Sequence, residues 1–145
     1  MRISDVLRIK GNRVVTVTPE TNVAALLAVL AEHGIGAAVV SPDGTEITGI
    51  VSERDVVRAL AARGAAVLAE EVTRIATANV RTVPAEAALD EVERLMTEGR
   101  FRHVPVLVDG VLGGVVSIGD VVKKRIDELE EERKELAGYI TGERP

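Results

Sequence analysis

The chain of 145 residues contains no cysteine and no tryptophan, and only one phenylalanine and one tyrosine. Without thiols, disulfides and thiolate metal sites are excluded. With almost no aromatic rings, the core must be assembled from Val, Leu, Ile and Ala, and a planar ligand would be gripped mostly by aliphatic walls. The two histidines, His33 and His103, fall outside any His-x-x-x-His or His-Glu spacing, so no metal site is expected. Apolar runs stay far below the roughly 20 residues a membrane span needs. The first turns carry Arg2, Asp5 and Arg8, unlike a signal peptide. The expectation is a soluble, cytoplasmic protein with no membrane partner.

A basic stripe is also missing. The net charge is -5, and residues 127–144 contribute -4 of it through seven acids against Arg133, Lys134 and Arg144. Neither that segment nor the near-neutral remainder presents the basic face a nucleic-acid binder needs. What the chain does have is 46% hydrophobic and 28% charged residues, a globular balance. Its length suits one domain or two small modules sharing a core.

The chain also repeats itself. Gly49-Ile50-Val51-Ser52-Glu53-Arg54-Asp55-Val56-Val57 returns as Gly114-Val115-Val116-Ser117-Ile118-Gly119-Asp120-Val121-Val122, 65 residues later. The match extends upstream at an offset of 66: Val6 to Ile9 falls on Val72 to Ile75, Thr16-Val17 on Thr82-Val83, and Asp43-Gly44 on Asp109-Gly110. A one-residue deletion after that last pair belongs in a loop, where length changes cost little. The expected organisation is a first copy over 1–65, a second over 66–126 and an acidic helical tail over 127–145.

Each copy predicts the same elements. A short strand at Val14–Val17 or Val80–Val83 precedes a helix near Asn22–Glu32 or Ala87–Glu98, where apolar Val23, Leu26, Leu27 and Leu30 follow the helical period. Gly34 is the helix stop in the first copy. Strands at Ala37–Val40 and Ile47–Val51, or at Val104–Val108 and Leu112–Val116, flank the Asp-Gly pair as a hairpin. A further helix begins at Ser52 or Ser117. The unit is an α+β module, and its small sheet needs a second copy to cover it.

The repeated Ser-x-x-Asp has two readings. Ser at the N-cap with Asp at N3 closes a capping box. The same helix N-terminus, directly after a hairpin, also presents unpaired N–H groups and a carboxylate able to accept two hydrogen bonds. The vicinal hydroxyls of a ribose match such an acceptor, Ile50 and Val115 can flank a flat base, and Arg54, Arg58, Arg100, Arg102 and His103 are cations within reach of phosphates.

The two motifs, together with Arg102-His103-Val104-Pro105-Val106 followed by Asp109-Gly110 and with the Thr-Val before each long helix, strongly resemble the CBS (cystathionine β-synthase) domain family in its tandem, stand-alone form. The resemblance spans Met1 to about Ile126. It implies two β-α-β-β-α repeats packed with pseudo-twofold symmetry, two clefts between them, and an extended C-terminal helix beyond. It implies adenosine-containing ligands such as AMP, ADP, ATP, NAD or S-adenosylmethionine, held as regulatory ligands rather than required cofactors. Asp55 and Asp120 would then hold ribose hydroxyls, Ser52 and Ser117 would assist with ribose or phosphate, and Ile50 and Val115 would touch the base. Each cleft would borrow residues from the other copy, which points to Gly36, Ala37, Arg102, His103, Lys10 and Arg13 beside Arg54. The copies differ inside this frame, so the clefts are expected to have unequal affinities.

In the tail, Val122, Ile126, Leu129, Leu136 and Ile140 form an a/d-like seam broken by Arg133. Its two readings are a stripe laid on its own domain or a contact with a second subunit in a homodimer. The functional expectation is a nucleotide-sensing regulatory module acting in trans on an effector protein. The alternatives are a structural or dimerisation adaptor with empty clefts, and a nucleotide-processing enzyme. No catalytic constellation supports the last: the sequence holds no nucleophile–base pair, metal cluster or phosphate-cradling glycine loop.

Overall fold

The computed structural model describes residues 1–11 and 14–140. Helix α1 (Ile3–Lys10) leads into a first half of β1 (Thr16–Val17), α2 (Val23–His33), β2 (Ala37–Val40), β3 (Gly49–Ser52) and α3 (Glu53–Arg63). Two short 3₁₀ segments, Ala65–Ala69 and Val72–Arg74, connect to a second half of β4 (Val83–Pro84), α4 (Leu89–Gly99), β5 (His103–Val108), β6 (Val111–Ser117) and α5 (Ile118–Ile140). The β-α-β-β-α order occurs twice, as the repeat predicts. Each half builds a three-stranded sheet in which the first strand pairs parallel, and the third antiparallel, with the middle one.

Local chemistry explains the boundaries. The Asn22 side chain accepts from the Ala25 N–H at 2.8 Å to start α2, and Gly34 ends it with φ 61°. The first strands are shorter than expected: Val14, Val15 and Val80 lie outside them, and β4 takes in Pro84 instead of stopping before it. Pro84 is tolerated because β4 is an edge strand, with no strand on its outer side among the described residues.

The two hairpins differ, which corrects the expectation of equivalent Asp-Gly turns. Asp109 and Gly110 both adopt positive φ, 52° and 82°, and join β5 to β6 as a two-residue turn. In the first half, β3 starts only at Gly49 rather than at Ile47, so the connection runs from Ser41 to Thr48. Asp43 accepts the N–H groups of Thr45 and Glu46, both at 2.9 Å, and buried Ser41 accepts from Gly44 at 2.8 Å. The extra residue of the first copy is thus absorbed in a loop organised by side-chain acceptors.

There are two cores, and each contains the leading segment of the other half. Ile3, Val6 and Leu7 of α1 pack with Val92, Val104 and Val116. Val67 and Val72 pack with Val23, Leu26 and Val51. Backbone hydrogen bonds seal both docks: Ile3 N–H to Ala87 and Ser4 N–H to Ala85 in one, Val23 N–H to Glu70 and Val72 N–H to Thr21 in the other, all at 2.8–2.9 Å. Both faces of β2 are buried: Ala38 and Val40 join the core, while Ala37 and Val39 lie on the opposite face. The halves meet through direct contacts, including the Leu112 N–H donated to the Thr45 carbonyl at 3.2 Å.

Helix α5 is anchored by Arg125, which pairs with Asp90 and Glu93 of α4 and with Glu128 one turn on. These neighbours hold the Arg125 guanidinium above its already high ordinary pKa. The apolar seam of α5 faces solvent: Val122, Ile126, Leu129, Leu136 and Ile140 are all about half exposed or more. Among the described residues, nothing in the same chain covers this stripe.

Candidate functional site

Both Ser-x-x-Asp motifs are capping boxes. In the first, the Ser52 N–H donates to Asp55 Oδ2 at 2.8 Å, the Ser52 hydroxyl donates to the same oxygen at 3.1 Å, and the Asp55 N–H returns to Ser52 Oγ at 3.3 Å. The second repeats the pair, with Ser117 N–H to Asp120 Oδ2 at 2.9 Å and Asp120 N–H to Ser117 Oγ at 3.1 Å. A further carbonyl clips each helix start to the opening of a middle strand: Glu53 N–H to Gly36 at 3.0 Å, and Ile118 N–H to Arg102 at 2.8 Å. These clips place Gly36-Ala37 and Arg102-His103 at equivalent positions beside the two boxes.

A cleft opens at each box, and each is completed by the other half. The first, of about 190 Å³, has Ile50, Ser52, Arg54 and Asp55 on its own side and Arg100, Phe101, Arg102 and His103 on the other. The second, of about 330 Å³, has Val115, Ser117 and Asp120 on its own side and Lys10, Gly36 and Ala37 from the first half. Gly36, Ala37 and His103 line both. The structure therefore places in these two clefts fourteen of the fifteen residues the sequence singles out; Arg13 lies outside the described residues.

Several lining residues of these clefts were not expected as site residues. Thr77 reaches the first cleft because its N–H and carbonyl pair with Ile50, both at 2.9 Å, pinning the inter-repeat connection against β3. Phe101, the sole phenylalanine, brings an aromatic ring to a wall expected to be aliphatic. Val14 enters the second cleft beside Val15. None belongs to the Ser-x-x-Asp frame, and only the fold brings them to the clefts.

The two carboxylates sit in different electrostatic settings. Asp120 Oδ2 also accepts from Lys10 Nζ at 2.7 Å, and the same ammonium donates to the Val115 carbonyl at 2.8 Å. Burial alone would raise the Asp120 pKa, but the hydrogen bond and charge of Lys10, with the Ser117 N–H, outweigh it and hold the carboxyl below its usual range. Asp55 has no such cation: Oδ2 is held by Ser52, and Oδ1 has no hydrogen-bond partner among the described residues. His103 stands between the clefts, close to Gly36: a Cβ placed on that glycine would lie 3.6 Å from the imidazole and 3.4 Å from Glu53 Oε1. Burial lowers the His103 pKa, and the nearby Lys10 lowers it further, against the raising effect of Asp120 and Glu53.

Comparison with known proteins agrees with this geometry. The CBS domain model matches twice, at residues 3–62 and 70–127. A mitochondrial CBS domain-containing protein of Arabidopsis thaliana is 34% identical over 97% of this chain and 72% of its own length. The crystal structure of a CBS-domain containing protein from Agrobacterium tumefaciens superposes with a TM-score of 0.83 at 43% identity, covering 86% of this chain and 99% of that one. A CBS domain protein from Pyrobaculum aerophilum, solved in complex with AMP, gives 0.72 at 29% identity, covering 83% and 89%. With two family matches in register with two equivalent half-molecules, the chain belongs to the CBS domain family, as a tandem pair.

Proposed function

We propose that this protein is a regulatory module that binds adenosine-containing ligands in the clefts between its halves and acts in trans on an effector protein. The observation that carries this reading is the Asp55 carboxylate, which lines a cleft with one oxygen committed to Ser52 and the other without a partner among the described residues. A ribose diol supplies the donors such a group lacks, and Ile50 and Ala37 supply apolar walls for a base. The AMP complex of the Pyrobaculum relative supports the same ligand class. In the first cleft, Arg54, Arg102 and His103 are assigned to phosphate, with Ser52 beside the ribose and Gly36 leaving room for it. In the second, Asp120, Ser117, Val115 and Lys10 take the corresponding places.

The ligand is a regulatory one: AMP, ADP, ATP, NAD or S-adenosylmethionine. A cleft built from both halves converts binding into a change of their relative angle, limited by the ligand's differential affinity for the two shapes. This role needs binding and no turnover. The exposed seam on α5 supports assembly as a homodimer, and no helix among the described residues is long and apolar enough to cross a membrane. We assign the protein to the cytoplasm, without nucleic-acid or membrane partners.

Thermal unfolding with millimolar AMP, ATP, NAD and S-adenosylmethionine tests the reading. A ligand at 100 times its dissociation constant should add about 2.7 kcal/mol. A shift with at least one of them is expected. No shift with any would leave the adaptor reading, in which the clefts stay empty and the α5 seam carries the function.

A further inference from the structure

Among the described residues, the two clefts are unlike in charge. The Asp55 cleft is lined by four arginines, Arg54, Arg58, Arg100 and Arg102, and by the acids Glu53 and Asp55. Among the described residues, none of the four arginines has an ion-pair partner, whereas Arg63 and Arg125 are both paired. Among the described residues, the Asp120 cleft is lined by one cationic side chain outside the imidazole of His103, that of Lys10, which is paired with Asp120.

Arg100 stands out within the cluster. It caps α4 at φ 56°, ψ 35°, in the left-handed region that favours glycine. The equivalent position of the first half is Gly34, at φ 61°, ψ 39°. The duplication thus holds one backbone geometry twice, and only the copy facing the Asp55 cleft fills it with an arginine. Phe101 fixes the turn by lying over Gly99, where an added Cβ would stand 2.2 Å from the ring. A strained residue kept where its counterpart is glycine points to a task for the side chain. The cleft volume of about 190 Å³ is below the roughly 300–1,000 Å³ of ligand sites in general, so a nucleoside would be enclosed only in part, leaving a phosphate chain free to meet the lining arginines.

We propose that the Asp55 cleft carries a polyphosphate subsite, with Arg100 as its specificity-determining residue. The nucleoside half of the ligand rests on the adenosine reading above; the phosphate half rests on the arginines. The cleft then favours nucleotides with two or three phosphates over AMP, over adenosine and over cationic S-adenosylmethionine.

Calorimetric titration of the full chain, without divalent cations, compares adenosine, AMP, ADP, ATP and inorganic tripolyphosphate on the wild type and on Arg100→Gly. Glycine suits the backbone here, so the variant keeps its melting temperature or gains. ATP should bind the wild type at least about tenfold more tightly than AMP, the factor one further charged hydrogen bond contributes. Arg100→Gly should bring ATP back toward AMP while leaving adenosine unchanged, and added salt should erode the ATP advantage. Equal affinities of AMP and ATP, or a full ATP advantage retained by Arg100→Gly, would overturn the subsite and leave the adenosine reading standing. Arg100-dependent tripolyphosphate binding without any response to adenosine or AMP would do the reverse, and silence with all five compounds would remove both.

Discussion

At the scale of single residues, Asp55 serves the fold and the cleft through the same carboxylate. Its Oδ2 completes the capping box of α3, so removing the group has two costs that must be separated. Asp55→Ala should lower the melting temperature, because losing a cap costs about 0.5–2 kcal/mol. Asp55→Asn keeps an oxygen for the Ser52 N–H and should preserve more stability while still losing nucleotide affinity. Equal affinity for both variants and the wild type in a titration would detach the carboxylate from binding. Lys10→Met addresses the other cleft. The folded-state pKa of Asp120 is depressed, so its contribution to stability is present above the unfolded value near 3.9 and lost as pH falls through the folded value. Urea unfolding should therefore show the variant weaker than the wild type at pH 7 and the gap closing in acid; a gap independent of pH would contradict the pairing. The sequence placed Asp55 and Asp120 from their motif alone. Lys10, 110 residues from Asp120, entered only through family resemblance, since no local pattern reports a contact across the whole chain.

Among the elements, the two hairpins show where local chemistry is decisive and where one residue changes it. Asp109-Gly110 behaves as the dipeptide predicts, but Asp43-Gly44 sits in a wider loop because Asp43 is used as an acceptor rather than as a turn residue with positive φ. The N–H groups of Glu46 and Thr45 and the Thr45 hydroxyl hold its pKa down at about 2. Its folded pKa lies below the unfolded one, so the stabilisation is complete above roughly pH 4 and disappears as pH falls toward 2. Asp43→Ala should melt below the wild type at neutral pH and converge with it near pH 2; melting curves that stay apart there would refute the loop assignment. The long helices were legible because their apolar period is local, as are the start of α2 at Asn22 and its stop at Gly34. Helix α1 and the 3₁₀ segments were not: Val6–Ile9 and Val72–Ile75 match in sequence, yet the first lies in an α-helix while Val72–Arg74 forms a 3₁₀ turn, a difference the local pattern does not carry.

For the whole molecule, the exchange of leading segments makes the halves interdependent. Ile3, fully buried, fills the core of the second half, and Val72 that of the first. Ile3→Ala should cost about 2–5 kcal/mol, and calorimetry should show one unfolding transition moving as a unit rather than a weakened second half beside an intact first. Two separable transitions would contradict the exchange as a source of cooperativity. The α5 seam belongs to the next level of organisation: Leu129→Lys should convert the proposed dimer to a monomer in sedimentation velocity, and an unchanged mass would place the interface elsewhere.

The claim from which the rest of the account follows is that the Asp55 cleft is an adenosine nucleotide site. Titrating ATP and AMP into the wild type, Asp55→Asn and Asp120→Asn measures it most directly. The account predicts saturable heat with the wild type, its loss in Asp55→Asn, and a nucleotide response that survives in Asp120→Asn. No heat with the wild type, or full binding by Asp55→Asn, would contradict it.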